Sequence, residues 1–494
     1  MRSKLYLSLL AICSAAILSS CSGLNSGGGC VTNCGPGTAN LTITMYDTPP
    51  TGASVLSFTL PIAGISLTPT TGSPVSVPTS VSSVEVTRLQ SDSTVIVDAA
   101  SVAAASYTAI NVTIGPTTAT NNIFINTSGS TITSGTVSCT NGSVCTLPVG
   151  AIFTVTIPLS FTLANNANQW IGLDFNLNNA ITAASGISVD FSQTAVLTAT
   201  TTTRTGIPTG SVDTMEDFIG VVTVYTAGSS ITVQNNTTGV SLTAALTSTT
   251  EYDLAPVNYS ACTGTAVACV TVGSTVSIDT LVSSAGTFTA TEVDVLDATG
   301  VDEVEGVIYP TSNPNVFGMI LADKVSASSD PNLGASTTTI GTSVLLTLNA
   351  SDYVVDTKTL SSQISLPVIG FSSSSDLLAG QVVRAQISSI AAGTNGITAT
   401  ANNMLLRYSR VSGTIGTISG NVFNIMNLPS YIYAFNPSLN PSTVQVNTFQ
   451  NLTAFDGVTG TSDTNFQGTA AIRALYLNSI SAKYAFQAAK VRVP

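Results

Sequence analysis

The chain has 494 residues, 44% of them hydrophobic and only 8% charged, with 13 Lys+Arg against 25 Asp+Glu, no histidine and a formal net charge of -12. That length exceeds one compact core and predicts about three to five units at ~100–200 residues each. The acidic balance excludes nucleic acid as a partner, and the lack of histidine removes the Ser-His-Asp and Cys-His nucleophile classes, whose usual base is gone.

At the amino terminus Arg2 and Lys4 precede an apolar stretch from Leu5 to Leu18. It is shorter than the ~20 apolar residues a bilayer crossing needs and has the profile of a secretion signal. Leu18-Ser19-Ser20 then lead into Cys21. This run resembles the lipobox of bacterial lipoproteins, which implies a signal peptide over 1–20 and acylation of Cys21; an ordinary secretory signal is the alternative. Each buried CH₂ contributes ~0.8 kcal/mol and one acyl chain binds only marginally, so stable anchorage implies several chains. Ser22, where inner-membrane lipoproteins carry aspartate, implies a lipid-anchored position in the bacterial cell envelope, at the outer membrane. Cleavage lowers Lys+Arg from 13 to 11 against 25 Asp+Glu, and the net charge from -12 to -14.

Residues 21–39 include "SGLNSGGGCVTNCGPGTA" and read as a Gly-rich tether with a reach of ~25 Å. With Cys13 in the signal and Cys21 acylated, six cysteines remain as sequence neighbours: Cys30 with Cys34, Cys139 with Cys145, and Cys262 with Cys269. Sequential disulfides are expected in an oxidising compartment. Asn141-Gly142 inside the second pair is a hairpin-turn signal. A zinc reading fails for want of histidine and of C-x-x-C spacing.

From Asn40 the pattern has period two, with Leu41, Ile43 and Met45 against Thr42 and Thr44, and Phe153, Val155 and Ile157 against Thr154 and Thr156. Strands continue to about Thr202, so residues 40–202 read as a β-sandwich. "VDAASVAAASY", Val97 to Tyr107, is the main candidate for a turn or short helix, and Trp170 is assigned to the core. Residues 203–217 read as a linker.

The remainder repeats itself. Gly220-Val221-Val222, Gly306-Val307-Ile308 and Gly413-Thr414-Ile415 each open a unit; Gly273, Gly380 and Gly468 open a later strand, and "TFTATEVDV", "GITATANNM" and "YAFQAAKVRV" close it. Three divergent copies of one small β domain account for this order: 218–299, 300–410 and 411–494. Five strands per unit suit an OB-like barrel. The expected fold is all-β, a β-sandwich followed by three tandem small β-barrels.

Two families are similar. Residues 38–200 resemble domain of unknown function 4382 through "LTITMYDTPP", "SYTAINVTIG" and "IGLDFNLNNAI". The later units resemble domain of unknown function 5666 through Val272-Gly273-Ser274-Thr275-Val276 and Thr289-Ala290-Thr291-Glu292-Val293; Ala379 before Gly380 and Gln467 before Gly468 depart from that pattern. Neither resemblance implies an activity.

The densest acidic run, residues 291–306, holds Glu292, Asp294, Asp297, Asp302, Glu303 and Glu305. Oxygen ligands of this kind suit Ca²⁺, with Asp294, Asp297, Asp302 and Glu303 as candidates. The competing expectation is that Glu292 and Asp294, alternating with Val293 and Val295, lie on the wet face of a strand while the rest solvate a linker. Asp213, Glu216 and Asp217 form a second acidic group in the 203–217 linker. Tyr431 and Tyr433 fall on one face of a strand if period two holds. There is no P-loop and no G-x-S-x-G. No catalytic residue and no cofactor are assigned. The expected role is a non-catalytic binding or structural module, joined to a membrane through lipid and able to meet an envelope protein or glycan. The alternatives are a carbohydrate-active or other hydrolytic accessory enzyme, marked by two close carboxylates in a cleft, and a calcium-rigidified adhesin.

Overall fold

The computed structural model describes residues 37–48, 54–118, 122–182, 186–326, 339–364, 370–393, 396–436, 439–478 and 485–494. Cys21 and the Cys30/Cys34 pair lie outside the described residues. The architecture is all-β. Two sheets form the N-terminal sandwich: one orders Leu197–Thr200, Asn168–Asn176, Thr38–Thr48 and Thr94–Ala103 across its width, the other Phe153–Thr162, Ser106–Ile114, Thr59–Pro69 and Val75–Val77. Leu41, Ile43, Met45, Ile110, Val112 and Phe175 alternate inward to a shared core, as period two requires. The expected helix near Val97 is strand instead. Val95 and Val97 pair with Thr44 and Ile43, and Ala100 with Leu41, so sheet pairing overrides the helical preference of the alanines.

The outward threonines of Thr38–Thr48 are not exposed. Thr42 and Thr44 are fully buried; Thr42 donates to the Ser284 carbonyl oxygen and Thr44 to Asp213, both in the first barrel. Trp170 is buried, and its indole N–H donates to Thr44 Oγ1 at 3.0 Å.

Three five-stranded units follow with one topology. Barrel I uses Asp213–Thr226, Ser230–Gln234, Ser241–Ala245, Thr275–Val282 and Phe288–Asp297; barrel II uses Glu303–Pro310, Val316–Val325, Ser343–Val355, Val382–Gly393 and Gly396–Arg407; barrel III uses Ser409–Ser419, Val422–Met426, Val444–Thr448, Thr469–Tyr476 and Phe486–Arg492. In each, strands one to three form a meander, strand four pairs antiparallel with strands one and five, and strand three closes the ring by running parallel to strand five. Glu251–Leu254 and Ala454–Asp456 add a short strand beside strand five in barrels I and III. In barrel II the corresponding stretch is fused into the 13-residue third strand.

The glycine that opens each repeat has a steric cause. A Cβ on Gly220, Gly306 or Gly413 would fall on the carbonyl oxygen of Gln234, Ile320 or Met426 in strand two. The first strand of barrel I starts at Asp213, inside the segment expected to be linker, and Asp213 is buried.

Among the described residues two disulfides are present, Cys139–Cys145 and Cys262–Cys269, with Cα atoms 6.1 and 6.2 Å apart. The Asn141-Gly142 turn does not close a hairpin: Val137–Cys139 pairs with Ile132–Ser134, and Val144–Thr146 with Ile123–Ile125. Tyr431 and Tyr433 lie in the short helix Ser430–Ala434 rather than on a strand. Pro429, with its fixed φ, caps that turn, and Tyr431 is buried. Thr38–Pro494 form one compact unit. Its modules also share apolar contacts, since Leu56, Ile123 and Ile125 of the sandwich join the cluster of barrel III.

Candidate functional site

Strand five of barrel I reads Glu292-Val293-Asp294-Val295. Val293 and Val295 point into the barrel core, so Glu292 and Asp294 point outward, as alternation predicts. The expected wet face is wrong, because the outward face packs against the other barrels: Glu292 is 4% and Asp294 0% exposed. Glu303 and Glu305 are buried in the same way, so the acidic run does not solvate a linker.

The corresponding stretch of barrel III is Lys490-Val491-Arg492-Val493. Pairing fixes the equivalence, since Asp279 faces Glu292 and Ser277 faces Asp294 in barrel I, while Arg473 faces Lys490 and Ala471 faces Arg492 in barrel III. Three residues before the opening glycine stand Asp217 and Arg410. Four equivalent positions are therefore acidic in barrel I (Asp217, Asp279, Glu292, Asp294) and basic in barrel III (Arg410, Arg473, Lys490, Arg492). Barrel II carries Glu303, Gln386, Asn403 and Leu405 there.

These faces meet at Asp217, a residue of left-handed backbone, φ 53°. Its Oδ2 lies 2.8 Å from both Arg410 Nη2 and Arg473 Nε, and its Oδ1 lies 3.0 Å from Lys358 Nζ and 3.1 Å from Arg407 Nη2. Arg407 also reaches Asp294 at 3.0 Å and pairs with Asp356. Arg384 holds Glu303, Glu305 and Asp323 at 2.7, 3.1 and 3.3 Å. Lys490 binds Glu216 at 2.8 Å. A second knot ties the sandwich to barrels I and III: Arg204 bridges Asp213 and Asp456 at 2.6 and 2.8 Å and lies over the Tyr46 ring. Arg492 holds Asp456 at 2.7 Å and donates to the carbonyl oxygens of Leu89 and Asp92.

Burial opposes ionisation of Asp217, but Arg473, Lys358, Arg410 and Arg407 hold its carboxyl well below the usual range. Burial, with Arg407 and Arg384 acting against it, leaves Glu305 lowered. Elsewhere burial prevails. It raises Glu292 well above the ordinary value against Lys358, and it raises Asp294 and Glu303. Burial and neighbouring Glu216 push Asp92 up to about 7. The cause is a surplus: among the described residues these ion pairs draw on twelve carboxylates and eight cations. Buried charges without a counter-charge retain protons.

The calcium candidates do not converge. Asp294 is bound to Arg407 and Glu303 to Arg384. Asp297 closes its own turn, accepting from the Thr299 amide and hydroxyl and the Val301 amide. Asp302 is buried. Among the described residues no three Asp, Glu or Cys side chains are grouped as metal ligands. The residues that matter at this junction (Asp217, Lys358, Arg384, Arg407, Arg410, Arg473, Lys490, Arg492) were not singled out by type, except Asp217. Their signal is the opposition of "EVDV" to "KVRV" in the closing segments of the first and third repeats, an equivalence that strand pairing establishes.

A cleft of ≈ 700 Å³ opens between sandwich, barrel I and barrel II, lined by Ser82, Ser83, Glu85, Arg88, Asp92, Glu216, Phe218, Thr237 and Thr238 among others. Its four carboxylates, Glu85, Asp92, Glu216 and Asp217, are all engaged. Asp92 Oδ1 accepts from the Ser93 and Glu216 amides, and Glu216 pairs with Lys490 and Arg473.

Fold and junction together define a multi-unit all-β protein, a sandwich locked by buried ion pairs onto three OB-like barrels. Its N-terminal unit, residues 38–190, matches the family described as Domain of unknown function (DUF4382). No curated protein matches the chain.

Proposed function

We propose that the protein is a cell-envelope lipoprotein, anchored through an acylated Cys21, whose sandwich and barrels act as one stiff non-catalytic binding or structural arm. The observation that carries this reading is the buried knot around Asp217. Eight Lys and Arg side chains lie against buried carboxylates; seven of them bind unit to unit, and Arg384 ties strands within barrel II. Leu18-Ser19-Ser20-Cys21 and Ser22 support an outer-membrane site on its periplasmic or surface face. Two disulfides support an oxidising compartment. The landmarks shared by the three barrels support kinship with domain of unknown function 5666. The partners are the membrane, through lipid, and an envelope glycan or protein; no nucleic acid and no cofactor is required.

Intact-mass analysis of natively expressed chain tests the anchor. The expected result is a mature chain beginning at Cys21 and heavier by its acyl groups, with Cys21→Ala moving it to the soluble fraction. An unmodified residue 21 contradicts the reading.

A further inference from the structure

Arg88 differs from the other described arginines. Arg204, Arg384, Arg407, Arg410, Arg473 and Arg492 each lie within 4.0 Å of a carboxylate. Arg88 gives one hydrogen bond, from Nη2 to the Asp217 carbonyl oxygen at 3.1 Å. A guanidinium carries five N–H donors; among the described residues Arg88 uses one of them, and it lines both the ≈ 700 Å³ cleft and a neighbouring pocket beside Glu305 and Tyr431. Glu85, three residues earlier, lines the same cleft but is saturated: it accepts from the hydroxyls of Ser57, Thr59 and Thr87 and the amides of Phe58 and Thr87.

The opposite wall is preorganised. Asn235 accepts from the Thr237 and Thr238 amides at 3.0 and 2.8 Å and donates to the Ile219 carbonyl and to Asp323, which ties the loop to both barrels. Thr237 and Thr238 form this wall with their hydroxyls turned to the protein, bonding Asp323, Lys324, Asn235 and Val240, while Ser82, Ser83 and Phe218 also line the cleft. The volume falls within the range of ligand clefts, and junctions between domains are where such clefts occur.

We propose that this cleft is a binding site for a neutral saccharide, with Arg88 donating to ligand oxygens and the exposed Ser82 and Ser83 hydroxyls exchanging hydrogen bonds with ligand hydroxyls. An anion is disfavoured because Asp92, Glu216 and Asp217 line the cleft and carboxylates outnumber cations in the adjoining ion pairs. The proposal rests on the non-catalytic binding reading, to which it adds a ligand class and a place; it does not depend on the lipid anchor.

Saturation-transfer NMR on the detergent-extracted full chain tests it, with chitotriose, cellotriose and isomaltotriose as neutral probes and trigalacturonate as the anionic one. At least one neutral trisaccharide binds saturably. Arg88→Met weakens that binding at least tenfold, and Ser83→Trp, at the exposed rim, abolishes it with an unchanged melting midpoint. If Arg88→Met fails to fold, Ser83→Trp decides. No binding of any neutral probe, binding that survives Ser83→Trp, or tighter binding of trigalacturonate overturns the proposal. Cleavage of a bound probe would support the site while overturning the non-catalytic reading, and an unlipidated chain that binds would overturn only the anchor.

Discussion

Replacing Asp217 by asparagine preserves shape and removes one charge from the point where sandwich and barrels are joined. Asp217 is 5% exposed, so solvent does not screen the loss. Breaking a buried ion pair by deleting one partner costs ~3–5 kcal/mol. All four cations keep another carboxylate: Arg407 has Asp294 at 3.0 Å, Lys358 has Asp279 at 3.6 Å, and Arg473 has Glu216 at 3.3 Å. Arg410 retains Asp92 at 3.8 Å. The low end, ~3 kcal/mol, is therefore expected. Urea unfolding followed by the fluorescence of Trp170, the single tryptophan, reads it from within the sandwich, because its indole bonds Thr44, which in turn bonds Asp213 at the neighbouring knot. Asp217→Asn is predicted to lower the stability seen by Trp170 and to separate its transition from that of the barrels. Adding Arg410→Met is predicted to recover ~1 kcal/mol or more of the sum of the single losses, as expected for residues in one network. A loss within ~0.5 kcal/mol, the range of surface substitutions, would refute the assignment of Asp217 as the junction's anchor.

Asp92, pushed up to about 7 by burial and by Glu216, keeps its proton in the folded chain at a pH where the unfolded chain has lost it. Its contribution is fully present below the unfolded value of 3.8 and falls as pH rises toward about 7, by on the order of 4 kcal/mol. Glu292, Asp294 and Glu303 act in the same direction, whereas Asp217 and Glu305, being lowered, lose their stabilisation only as pH falls through their depressed folded values. Urea unfolding should therefore give higher stability at pH 5 than at pH 8, with the difference reduced in Asp92→Asn. Gly413→Ala puts a methyl group on the Met426 carbonyl oxygen and should cost barrel III ~1–3 kcal/mol by denaturant titration; Gly420→Ala, whose Cβ meets nothing within 4 Å but sits at φ 59°, should cost less.

Much of the fold was legible because barrel and sandwich strands keep strict alternation. Val293 and Val295 point inward as read, and the glycines at 220, 306 and 413 mark three copies because strand two leaves no room for a Cβ. The junction was not legible from alternation, which tells inside from outside of one barrel but not whether the outside meets water. Thr42, Thr44, Glu292 and Asp294 all point outward and are all buried, since a second unit covers them. The clustering of acids in residues 291–306 pointed the wrong way as well, because it was read as a solvated linker whereas Glu303 and Glu305 are buried. The information was present in another form, as opposite charges at equivalent places in two repeats, and became visible only once strand pairing fixed which places are equivalent. The Tyr431 and Tyr433 pair was misplaced for a local reason, the helical turn that Pro429 starts.

Scanning calorimetry of the full chain at pH 6 tests most directly whether buried charges make one body of the sandwich and three barrels. The account predicts a single cooperative transition whose calorimetric and van't Hoff enthalpies agree, breaking into separate peaks in Asp217→Asn. Separate transitions for sandwich and barrels in the unaltered protein would contradict it.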